Sequence, residues 1–264
     1  MPTTYTHDLF GKKIYQKLPA DMRKIIRENG DLYRIGLHGP DILFYLLPAR
    51  HVTKTGVEMH KKAARPFFEK GMKIVRDTKD EALLAYLLGF GCHYLLDSKC
   101  HPLVNRMAED GVISHTLSEK ELDRTLMLET GKNPLSYYPS DCIVPKRSYG
   151  EVIHEAIPEI SANKIYWSLH MMKVITNAMV YDNKGRRKKA LAFLGGIVYK
   201  GGTKEALEHF MEKEPVKGSR EPVLELKKLF EETILDSPQY LEELYALSKE
   251  ERTLSGRFDK TYNG

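Results

Sequence analysis

The sequence has 264 residues, 42% of them hydrophobic and 29% charged, which is enough apolar material for a globular core. Three cysteines cannot staple a small secreted fold. The N-terminus carries no apolar stretch of signal-peptide length, and the longest uncharged run, Ala82 to Leu96, is too short to span a bilayer. A cytoplasmic protein is expected from these features, and the small excess of 41 basic over 36 acidic residues favours anionic partners without demanding nucleic acid.

Helical patterns dominate the chain. Asp8 to Lys17 and Ala20 to Asn29 read as short helices, the second closed by Gly30. Gly36 to Asp41 reads as a turn, with Pro40 at an early helical position, and His51 to Gly56 as a loop. A helix is expected over Glu58 to Asp77. Thr78 and Glu81 have capping-box spacing and open a buried helix, which should end at His101 because Pro102 disfavours helical geometry before it.

Another helix is expected from His115 to Glu129, stopped by Gly131, followed by a proline-containing connector over Lys132 to Gly150. Ser148 to Glu151 could cap the next helix. Helical patterns recur over Ile160 to Tyr181, Thr203 to Lys213, Pro222 to Leu235 and Pro238 to Lys249, while Gly195–Gly196 and Gly201–Gly202 suggest flexible joints. The fold class is all-α, a multi-helix bundle. Residues 1–131 form its chemically informative core, and residues 132–264 complete or cap it, within one domain or two.

Chemistry concentrates on one stripe. At about 100° and 1.5 Å per residue, His93, Asp97 and His101 lie roughly 40° and 6 Å apart on one helix face. Cys92 and Cys100 point about 100° away from them and are not counted as ligands. His115 and Glu119 form a second i, i+4 pair, half of a tetrahedral zinc site that His101 could extend to three ligands, leaving a position for water. A single buried histidine is ordinarily a satisfied core residue. An aspartate one turn after it, in an otherwise uncharged helix, needs a cationic compensator, and a metal ion is one.

Residues 1 to about 125 resemble the bacterial zinc-dependent phospholipase C family, whose superfamily includes fungal single-strand-specific nucleases. The matching order is His7-Asp-Leu-Phe, Gly36-x-x-x-x-Asp41, Gly56-Val-Glu-Met-His60, His93-Tyr-Leu-Leu-Asp97, His101, His115-x-x-x-Glu119 and then Asp123. The resemblance implies up to three zinc ions. His60, His93, Asp41 and Asp97 would hold the first, His101, His115 and Glu119 the second, and His7 with Asp97 the third; His51 is an alternative to His60. It also implies phosphoester hydrolysis through a metal-activated hydroxide, with Asp41 as proton acceptor and phospholipid head groups as the substrate class.

Two departures stand out. The interval between Asp97 and His101 is shorter than in the secreted enzymes, and those enzymes use the amino group of an N-terminal tryptophan as a ligand, whereas the single tryptophan here is Trp167. A nuclease or nucleotidase using the same cluster is the alternative enzyme, and a metal-stabilised binding protein the non-enzymatic one. The cluster Lys184 to Lys189 is either a solvated loop or a contact for an anionic membrane surface. His154, His170 and His209 lack partners at ligand spacing and read as structural.

Overall fold

A computed structural model describes residues 4–198 and 207–264. The helices are α1 (Thr4–Tyr15), α2 (Ala20–Glu28), α3 (Gly30–Gly36), α4 (Arg50–His60), α5 (Arg65–Thr78) and α6 (Glu81–Glu109), then α7 (His115–Glu129), α8 (Arg147–Ala156), α9 (Ala162–Ala178), α10 (Arg186–Val198) and α11 (Arg220–Leu247). Short 3-10 turns cover Gly39–Tyr45, Pro139–Cys142 and Gly256–Asp259. No strand occurs among the described residues, and the all-α expectation holds.

The axis of the bundle is α6. From Leu83 to Ser98 every residue of it is buried, as an apolar circumference demands. Helices α1, α3, α5, α7, α8 and α11 all pack on it. Helix α3 crosses it closely, where Gly36 and Gly89 face each other. A Cβ at Gly89 would stand 2.1 Å from the Tyr33 carbonyl oxygen, and one at Gly36 2.2 Å from that of Tyr86. The hydrophobic core that results joins residues from both sides of position 131, among them Ile14, Leu88, Ile153 and Leu241.

Several boundaries differ from the sequence reading. Residues 51–56 belong to α4, and the single helix expected over Glu58 to Asp77 is two, because Pro66 starts α5 instead of continuing α4. The N-cap of α6 is Asp80, whose carboxylate accepts from the amides of Ala82 and Leu83 at 2.8 and 3.0 Å; Thr78 ends α5. Helix α6 does not stop at His101. Pro102 lies on its exposed side, and packing of Leu103, Val104 and Met107 carries the helix on past the one backbone hydrogen bond that the ring removes.

Pro238 is likewise accommodated inside α11, so the two helices expected there are one. Helix α8 opens at Arg147 without a side-chain cap from Ser148, and α9 is shorter at both ends than expected. Gly195 and Gly196 are helical within α10, while Gly201 and Gly202 lie outside the described residues. Of the helix expected over Thr203 to Lys213, residues 203–206 also lie outside them, and the chain leaves helical geometry after Glu208.

Candidate metal centre

Four segments meet at the polar stripe of α6. Helix α1 brings His7, the Gly39–Tyr45 turn brings Asp41, the last residue of α4 is His60, and α7 brings His115 and Glu119. The turn reaches α6 because residue 39 is glycine: φ is +48°, and a Cβ there would stand 2.2 Å from the His93 ring. Helix α1 is held at its N-terminus by Asp123, which accepts from the Thr6 amide at 2.8 Å, the Thr6 hydroxyl at 2.7 Å and the Tyr5 amide at 3.3 Å.

Asp97 is the hub. One of its oxygens lies 3.2 Å from His7 Nε2. The other lies 3.1 Å from His93 Nε2, 3.7 Å from His101 Nε2 and 3.9 Å from His60 Nε2. Asp41 stands 3.0 Å from His60 Nε2 through one oxygen and 3.9 Å from His93 Nε2 through the other. Glu119 lies 3.1 Å from His115 Nε2 and 3.5 Å from His101 Nε2. Ligand atoms of His7, Asp41, His93 and Asp97 all fall within 4.8 Å of one another, as do those of His101, His115 and Glu119. His7 lies beside the other members of the first group, its ring stacked on His93 at 4.5 Å and its Nε2 on Asp97.

The tautomers are dictated by the surroundings. His60 Nδ1 faces the Gly56 carbonyl at 2.8 Å, His101 Nδ1 the Tyr262 carbonyl at 3.0 Å, and His115 Nδ1 the Asn105 side-chain oxygen at 3.2 Å. Each of these acceptors requires an N–H at Nδ1, so each Nε2 faces a carboxylate and meets it only through a second proton or a metal cation between them. Moreover, His7 Nδ1 and His93 Nδ1 are buried without a hydrogen-bond partner among the described residues. Buried carboxylates crowded by imidazole nitrogens, with orphaned ring nitrogens beside them, are what a metal cation holds together. The donor set of imidazole and carboxylate suits zinc.

The electrostatics agree. Burial favours the neutral acid at Asp97, yet His101, His93 and His7 hold its carboxyl well below the usual range. Burial has the same effect at Glu119, and His115 and His101 hold it down. Burial disfavours a charged imidazole at His101, but Asp97 and Glu119 push it up to about 9. A cavity of about 210 Å³ opens onto these groups, walled by Phe44 and Val57 with Lys61 and Asn263 also lining it.

All eight residues singled out in the sequence converge here. His51 does not: it is exposed and contacts Lys164 at 3.0 Å, so His60 is the one beside Asp41. None of Cys92, Cys100 and Cys142 joins either group, and all three are free and buried. His154 bonds the Ile160 carbonyl, and His170 packs on Tyr166 and Trp167. The sequence reading missed His38, a buried neighbour of His7 whose pKa burial lowers to about 3. It also missed the C-terminal segment. Besides the Tyr262 carbonyl behind His101, the Tyr262 amide donates to the His60 carbonyl at 3.3 Å. No pattern marks a main-chain acceptor so distant in sequence.

No curated protein and no solved structure matches the chain. The sequence profile described as zinc-dependent phospholipase C matches residues 6–177, from α1 through nearly all of α9, farther than the motifs alone reached. With most of its length covered by that profile and a buried His/Asp cluster within the matched span, the chain belongs to the zinc-dependent phospholipase C family.

Proposed function

We propose that this protein is a zinc-dependent phosphodiesterase that releases phosphorylated head groups from phospholipids. The carrying observation is that His60, His101 and His115 have Nδ1 anchored and Nε2 turned toward Asp41, Asp97 and Glu119. In this reading His60, His93, Asp41 and Asp97 would hold one ion, with His7 beside them, and His101, His115 and Glu119 would hold a second. Zinc supplies a Lewis acid there and brings the pKa of water to roughly 7.

The chain's own groups do the rest. Asp41, kept ionised by His93 and His60 despite its burial, accepts the proton of the attacking water. Lys61 at the cavity wall attracts the anionic phosphoester, and Phe44 and Val57 give the apolar part of a lipid a surface to lie on. Cytoplasmic location belongs to the same proposal, and fractionation of producing cells checks it. No described helix is long and apolar enough to cross a membrane.

The test is metal content together with turnover. Zinc-loaded protein is expected to hold two or three ions per chain and to release phosphocholine from phosphatidylcholine. Cleavage of single-stranded DNA alone would move the assignment to a nuclease. A zinc-loaded protein that hydrolyses no phosphodiester would end the enzymatic reading.

A further inference from the structure

We infer that the outer side of α9, with the basic segment after it, is the surface on which this protein settles onto a bilayer containing anionic lipid. Trp167, Met171 and Val174 are spaced i, i+4, i+7 and so form one stripe about 10 Å long. Trp167 is 48% exposed and Val174 60%, while the inner side of the same helix buries Ile165, Leu169 and Met172. The outward side of a helix packed on a globular core normally carries polar residues. Here an indole and an isopropyl group occupy it, with Met171 between them partly buried against the core. Tyr166 and His170 brace the indole, with ring centroids 5.4 and 5.7 Å away. Tryptophan is the side chain best suited to the head-group level of a bilayer, being apolar in body and polar at one atom.

Charge is placed at one end of the stripe. Arg187 donates to the Asn177 carbonyl at 3.4 Å, which ties the Lys184–Lys189 cluster to the C-terminal turn of α9. Asp182 accepts from the amides of Lys184 and Arg187, at 3.2 and 2.7 Å, and Lys188 pairs with Glu212. Lys184, Arg186 and Lys189 have no acidic side-chain partner among the described residues. Phe193, 70% exposed, lies one face-repeat beyond Arg186 on α10. Apolar anchors beside unpaired cations complement an anionic bilayer, whereas a neutral protein groove would leave the cations unanswered.

The position serves the candidate site. The inner side of α9 is seated on the turn that carries Asp41, where the Ser168 hydroxyl donates to the Ile42 carbonyl. Docking through the outer side therefore seats on the lipid the helix that supports the Asp41 turn. The purpose of docking rests on the phospholipid reading, but the docking itself is measured without turnover.

The sequence provides its own reporter, since Trp167 is the one tryptophan of the chain. Zinc-loaded full-length protein is mixed with vesicles of phosphatidylcholine, with or without phosphatidylserine, and followed by tryptophan emission and co-sedimentation. Anionic vesicles should shift the emission to the blue and sediment the protein, and added salt should weaken both. Val174→Asp, and separately the triple variant Lys184→Gln, Arg186→Gln, Lys189→Gln, should each weaken sedimentation at least tenfold with zinc content unchanged. Unshifted emission, equal binding to neutral vesicles, or binding indifferent to both variants overturns the inference. Head-group release that fails while docking persists would instead overturn only the assigned reaction.

Discussion

His101 donates its Nδ1 proton to the main-chain carbonyl of Tyr262 at 3.0 Å, across 161 residues of sequence. The contact settles which nitrogen faces Asp97 and Glu119, and it makes the C-terminal segment a part of the centre although the family match ends at residue 177. Outer partners of this kind are worth roughly 10–100-fold in metal affinity. Deleting residues 261–264 should therefore weaken the tightest zinc measured at His101 by at least about tenfold. Because Tyr262 also packs in the core, Asn105→Ala provides the second variant: it removes the acceptor behind His115 at a half-buried position and should weaken zinc in the same group to a similar extent. Competition with a chromogenic chelator reads both. Unchanged affinity in Asn105→Ala would refute the anchoring argument.

Gly39 is the residue that lets the Asp41 turn approach α6. Alanine there meets the His93 ring at 2.2 Å, with backbone behind both partners, and must also adopt φ +48°. Gly39→Ala is expected to cost about 2–4 kcal/mol and to release zinc, since His93 cannot give way without leaving Asp97. Gly30→Ala is the control. A Cβ at the start of α3 meets nothing within 4 Å, so that change should be neutral or add a few tenths of a kcal/mol. Thermal unfolding and metal content separate the two outcomes.

What was legible in the sequence was local. The stripe on α6 and the i, i+4 pair on α7 follow from helical periodicity, and the uncharged run marks α6 as the buried axis. His7, Asp41 and His60 lie on other segments; only the family resemblance joined them to the stripe, because nothing in their own spacing says that α1, the turn and α4 converge. Prolines misled where local propensity was weaker than packing. Pro102 and Pro238 sit within long helices whose buried residues continue on either side, whereas Pro66, at the start of α5, was the break that the pattern did not reveal. The main-chain acceptors behind His60 and His101 leave no trace in residue identity at all.

The elevated pKa of His101 makes zinc uptake a proton-releasing event. Without metal, burial opposes its charge but Asp97 and Glu119 hold the proton up to about pH 9, so at neutral pH an incoming cation must displace it. Titrating chelator-stripped protein with zinc at pH 7.5 should release protons, and His101→Ala should release fewer. The same shift governs stability of the stripped protein. The folded pKa exceeds the unfolded value of 6.5, so the contribution is complete below about pH 6.5 and disappears as pH rises through about 9, with a ceiling of about 3 kcal/mol. The unfolding temperature of stripped protein should fall across that window relative to His101→Ala. A parallel course for the two would show that the proton is not held there.

Asp123 is in a different balance. Two amides and a hydroxyl at the start of α1 favour its charged form, yet burial outweighs them and lifts its carboxyl to about 6. Removing it leaves amides of α1 uncapped, so Asp123→Ala should cost about 1–2 kcal/mol and loosen the helix that carries His7. Asparagine retains an acceptor oxygen but cannot titrate. Because the folded pKa lies above the unfolded 3.8, the neutral acid is favoured in the fold, and this residue adds stability as pH falls from about 6 to about 4, the reverse of a salt-bridged carboxylate. The wild-type minus Asp123→Asn difference in unfolding free energy should therefore shift toward the wild type on acidification across that range. A shift in the opposite direction would mean that the donors at the start of α1 dominate burial and that the capping carboxylate is ionised throughout.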